Sequence, residues 1–174
     1  MEAHFLKGSV LLSKGAGAGA VTEFRTVTNE RPQFIPAYLK LAEAHIVTRE
    51  TNLALDTLQK VLKMEPDSKD ALRALGRLYL MQGDYKKAEE NMRKLISVHP
   101  DDLDIRADFG DLLAAEKNFK EAENQYAEIK RKAPKNPFGY IKMSGLYGQQ
   151  GKTDKVVQEL EQAYKLNPQS AQIF

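Results

Sequence analysis

From Lys69 to Asp102 the apolar positions fall into two stripes separated by a polar break. Leu72, Leu75, Gly76 and Tyr79 step by three, one and three residues, and Ala88, Met92 and Leu95 by four and three. Both spacings place one apolar face on a helix, so the stretch predicts two helices in tandem. Between them, Gln82-Gly83-Asp84-Tyr85 reads as a turn. Gly83 suits the left-handed position that ends a helix, and Asp84 suits the cap of the next. Pro100 stops the second helix because its ring cannot continue one.

The same unit recurs along the chain. Pro32, Pro66, Pro100, Pro134 and Pro168 are each 34 residues from the next. In that register the first helix carries a small residue at Gly8, Ala42, Gly76, Gly110 and Ser144. The second carries one at Ala20, Ala54, Ala88, Ala122 and Val156, and a bulky one four places on at Phe24, Leu58, Met92, Tyr126 and Leu160. Small residues let two helix backbones approach, and the bulky side chain fills the space beside them.

This period, with its small, Ala, bulky and Pro places, resembles the tetratricopeptide repeat. The resemblance covers residues 1–170 and implies an all-α fold, a right-handed superhelix of antiparallel helix pairs. It also implies one domain over 1–174, with repeats at 1–34, 35–68, 69–102, 103–136 and 137–170. The family's Trp is absent, its place held by His4, Tyr38, Leu72, Arg106 and Tyr140, and Lys7 stands where an apolar residue is expected. Residues 171–174 match the opening of a further first helix, so they are either its start or a truncated end.

Composition narrows the function. A net charge of +2 does not call for nucleic acid or an anionic membrane. With no cysteine, disulfides and thiolate metal sites are excluded. No run approaches the roughly 20 apolar residues of a membrane span, so a soluble protein is expected, cytoplasmic or periplasmic. Phe5-Leu6 and Val10-Leu11-Leu12 superficially resemble a signal peptide, but Lys7 interrupts the run and the stretch keeps the repeat register.

Several features invite chemistry and are better read as structure. The turn Gly15-Ala16-Gly17-Ala18-Gly19 has neither nucleotide-binding spacing nor a preceding strand. His45 lacks a second ligand at helical spacing and is read as packing. Lys130-Arg131-Lys132 is a basic run at a helix C-terminus, where cations offset the dipole. Ser144 is the small place of its helix, and Glu89-Glu90 do not face each other, so neither supports catalysis. No enzyme, cofactor or metal is expected.

What the resemblance does imply is a groove lined by the first helices, which binds a protein or peptide partner. Carried onto this sequence, the groove places are Phe5, Leu39, Lys40, Glu43, Ile46 and Val47, then Arg73, Arg77, Leu80 and Met81. They continue through Asp104, Asp108 and Asp111 to Phe138, Ile141 and Lys142. Arg73 and Arg77, one turn apart, suit a carboxylate or phosphate, with Asp108 and Asp111 as alternative internal partners. The basic and Asn residues with which some members bind chaperone tails are missing at the corresponding places. The resemblance therefore implies a binding scaffold, and the texture of the chain is similar to bacterial repeat proteins of envelope, secretion or polysaccharide-export assemblies. The alternative is self-association through an uncapped C-terminal repeat at Ile173 and Phe174. Single-stranded RNA binding is disfavoured, because no recurrent base-reading set or continuous basic groove is present.

Overall fold

The structure is a computed structural model that describes residues 1–168, so Ile173 and Phe174 lie outside the described residues. Ten α-helices follow one another there: α1 (Glu2–Ser13), α2 (Gly17–Glu30), α3 (Ile35–Val47), α4 (Thr51–Met64) and α5 (Lys69–Met81), then α6 (Tyr85–Val98), α7 (Leu103–Ala115), α8 (Phe119–Lys132), α9 (Phe138–Gln149) and α10 (Thr153–Leu166). The fold is all-α and built of antiparallel helix pairs, as the periodicity predicts.

Two local devices recur with the period. Residues 15, 49, 83, 117 and 151 all take positive φ, between 61° and 74°, and end the first helices. Glycine supplies this backbone at Gly15, Gly83 and Gly151, whereas Arg49 and Lys117 adopt it with a side chain attached. At the other end of each pair the residue before proline is pushed out of the helical region. Arg31, Glu65, His99, Ala133 and Asn167 accordingly sit at φ between −124° and −146° and cap the second helices.

The chain forms two compact units, Met1–Gly83 and Asp84–Phe174. In the first, the hairpins α1–α2 and α3–α4 pack through α2 on α3, and α5 packs on α4. One apolar cluster joins Leu12, Ala20, Val21 and Phe24 to Leu41 and Ala44 of α3. A second joins Tyr38, Ala42, Ala54, Leu58 and Val61 to Ala71, Leu75 and Leu78. Helix α3 therefore serves two cores at once, and Leu41 belongs to the cluster of the preceding pair. Gly8 makes room for Phe24: a Cβ there would lie 2.9 Å from the ring.

In the second unit, α7–α8 and α9–α10 are the hairpins, α8 packs on α9, and α6 packs on α7. Phe109, Leu113, Tyr126, Ile129 and Leu146 are almost wholly buried. Gly110 plays the part of Gly8, facing the ring of Tyr126. The burial thins at α10, where only Ala163 is buried.

Candidate functional site

In the first unit the first helices enclose a cleft of about 630 Å³. Phe5 comes from α1; Leu39, Lys40, Glu43 and Ile46 from α3; Arg77 and Met81 from α5. These seven are among the groove residues expected from the sequence, and the fold brings them to one concavity. Val47, Arg73 and Leu80 are not among its lining residues, although Val47 is 45% exposed on the same helix. Pro36, Asp70 and Ala74 line it in addition. Their places in the repeat are those of Phe138, Asp104 and Lys40, so the period itself nominates them.

The chemistry of the cleft is an apolar floor with a charged edge. Leu39, Ile46 and Ala74 are half-buried, and Met81 is 72% exposed. At the edge, Lys40 donates to Glu43 at 2.7 Å, both side chains being largely solvated. Such a pair contributes little to stability and separates readily for a ligand. The largest share of binding energy available here is therefore the covering of apolar surface.

The corresponding face of the second unit carries charge. Asp111 accepts from Tyr126 Oη at 2.6 Å and from Lys142 Nζ at 2.6 Å, joining α7, α8 and α9. Burial, reinforced by the Asp111 carboxylate, pushes the Tyr126 phenol well above its ordinary value. Lys142 also lies 5.8 Å from the ring centre of Phe138. Ile141 and Asp108 are half-buried nearby in sequence, and Asp104 is exposed in the first turn of α7. Thus Asp111, Lys142 and Phe138 come together, whereas among the described residues no contact of that kind is found for Asp104.

Other candidates resolve into structural contacts. His45, 2% exposed, pairs through Nδ1 with Glu50 Oε2 at 2.7 Å, and Thr48 donates to the same oxygen. The Thr48 bond, then the His45 bond, hold the Glu50 carboxyl below its usual range. Sequence reading misses Glu50 because it lies five residues on, beyond the helix, and reaches back over the left-handed Arg49. His4 and Lys7 both hold Glu23 at 2.6 Å. In the basic run, Lys130 pairs with Glu159, Arg131 with Glu128, and Lys132 with Asp101 and the Pro100 carbonyl. The run is thus neutralised by carboxylates and not only by the helix dipole.

Among the described residues there is no group of three or more His, Cys, Asp or Glu able to hold a metal ion. No helix there is long and apolar enough to cross a membrane.

Helix pairs recurring every 34 residues, with small-against-bulky contacts at Gly8–Phe24 and Gly110–Tyr126 and a left-handed residue ending each first helix, define a helical-repeat scaffold. Models of the tetratricopeptide repeat match residues 39–96, 79–138 and 139–170, and the chain belongs to that family. Members of this class act as protein-binding scaffolds. Among solved structures, the MamA protein is similar at 19% identity and a TM-score of 0.75, covering 98% of this chain and 93% of that one. TTC0263, a thermophilic repeat protein of Thermus thermophilus, is similar at 18% identity and a TM-score of 0.72, over 99% and 94%. YrrB, described as a repeat protein with an unusual peptide-binding site, is similar at 19% and 0.66, over 98% and 87%. At such identities the likeness is one of fold. No protein of curated function matches the chain.

Proposed function

We propose that the chain holds a peptide segment of a partner protein in the cleft formed by α1, α3 and α5. The single observation that carries this reading is the cleft itself, apolar at its floor and edged by the solvated Lys40–Glu43 pair. A partner segment gains by covering Leu39, Ile46 and Met81, while charge at the edge sets its register. The fold likeness to YrrB, whose description names a peptide-binding site, supports the reading. The similarity in texture to bacterial repeat proteins favours a role for such a scaffold in a larger envelope, secretion or polysaccharide-export assembly.

The test begins with a displayed peptide library selected on the unsubstituted chain. Fluorescence anisotropy then compares the best peptide on that chain and on Leu39→Asp and Ile46→Asp. Loss of at least tenfold in affinity for both variants is expected, since a charge forced into an apolar contact costs more than about 1.4 kcal/mol. Equal affinity for all three would contradict the reading.

A further inference from the structure

The cleft has two unlike ends. It runs along α5 from Asp70 in the first turn to Met81 in the last, and along α3 from Pro36 to Ile46. At about 1.5 Å of rise per residue, Asp70 and Met81 stand about 16 Å apart along the helix. The end at Ile46 and Met81 is apolar, with Met81 72% exposed. The end at Pro36 and Asp70 carries a carboxylate.

Of the charged side chains that line the cleft, Lys40, Glu43 and Arg77 are already engaged. Lys40 donates to Glu43 at 2.7 Å, and Arg77 has an interaction of its own. Asp70 is exposed, and among the described residues it forms no hydrogen bond or ion pair. Nor does it cap its own helix. Asp84 and Asp102 accept from backbone N–H groups in the first turns of α6 and α7, whereas α5 begins at Ser68 without a side-chain cap. A carboxylate in the first turn of a helix offsets the dipole, which accounts for an acid at this place and leaves its oxygens open to a ligand.

Resting on the peptide-binding reading of this cleft, we propose that the partner segment is cationic at one end: a lysine or arginine pairs with Asp70 while an apolar side chain covers Ile46 and Met81. The segment therefore lies in one direction, with its cation at the N-terminal ends of α3 and α5. An extended chain rises about 3.3 Å per residue, so about five residues separate the cation from the apolar anchor. A cleft of about 630 Å³ suits so short a segment, because sites for drug-sized ligands span about 300–1,000 Å³. An acidic residue at the same end is rejected, since its carboxylate meets that of Asp70.

Peptides selected from a displayed library on the unsubstituted chain are first sorted with Leu39→Asp, and those that lose affinity on it are cleft peptides. They should carry a lysine or arginine about five residues from an apolar residue. In fluorescence anisotropy the best of them should bind Asp70→Asn about fivefold more weakly, the upper range for an exposed ion pair. It should bind Asp70→Lys at least about tenfold more weakly, because like charges then meet. The same peptide with its cation changed to glutamate should reverse the order and bind Asp70→Lys more tightly than the unsubstituted chain. Circular dichroism verifies that both variants stay helical. Cleft peptides without a cation, or unchanged affinity on Asp70→Lys, overturn the inference and leave the peptide-binding reading standing. If no selected peptide loses affinity on Leu39→Asp, that reading fails and the inference with it.

Discussion

The two units use one repeat grammar, and their first-helix faces differ in chemistry. In Met1–Gly83 that face is a cleft floored by Leu39, Ile46 and Ala74. In Asp84–Phe174 it carries Asp111 bridged to Tyr126 and Lys142. The helical framework needs only the small, bulky and left-handed places. The groove places are therefore left to vary, which is how one fold serves different surfaces.

The largest way to break the comparison is through the shared core contact. Phe24→Ala empties the ring space against Gly8 and should lower stability by about 3–5 kcal/mol, read from the urea midpoint. Hydrogen exchange should show amides of α1–α3 losing more protection than those of α7–α9. Tyr126→Phe keeps the ring at the equivalent place and removes only the bond to Asp111. Its cost should be about 1 kcal/mol, because Asp111 retains Lys142 and solvent.

The turns sharpen the comparison in the other direction. Arg49 and Lys117 hold a left-handed backbone that Gly83 holds without strain. Lys117→Gly in the second unit and Arg49→Gly in the first should each raise stability by up to about 1 kcal/mol, measured by urea unfolding. Gly83→Ala, with open space around its Cβ, should lower it by a similar amount for conformational reasons alone.

The smallest effects are those of pH. The Lys7 bond, then the His4 bond, hold the Glu23 carboxyl below its ordinary 4.5. Its contribution is complete above 4.5 and is lost as pH falls through the depressed value. Glu23→Gln should therefore remove part of the acid loss below pH 4.5. In the second unit, burial and the Glu123 bond push the Tyr147 phenol up to about 12 from 10. That contribution is complete below pH 10 and is lost as pH rises through 12. Thermal melts of Tyr147→Phe should accordingly fall less steeply over that interval than those of the parent.

Most of the fold is legible because its determinants are local and repeat. Five prolines, the small and bulky places and Gly83 specify helix ends and facing surfaces within one 34-residue unit. Seven of the cleft residues follow from the same register, and Asp70 and Ala74 were available from it. What periodicity does not report is where long side chains end up. Glu50 returns to His45 through a turn, Lys132 reaches Asp101 across 31 residues, and Leu41 serves the preceding pair. A stripe on a helix names a buried face but not its partner. The boundary between the units also falls at Gly83, in the turn of the most regular repeat, where the 34-residue register continues unbroken.

The most direct test of the peptide-binding cleft is methyl-resolved NMR on the unsubstituted chain with a library-selected peptide added. The account predicts shift changes at Leu39, Ile46 and Met81 that saturate together and vanish in a chain also carrying Leu39→Asp. Shift changes confined to α6–α10, or undiminished by Leu39→Asp, would contradict it.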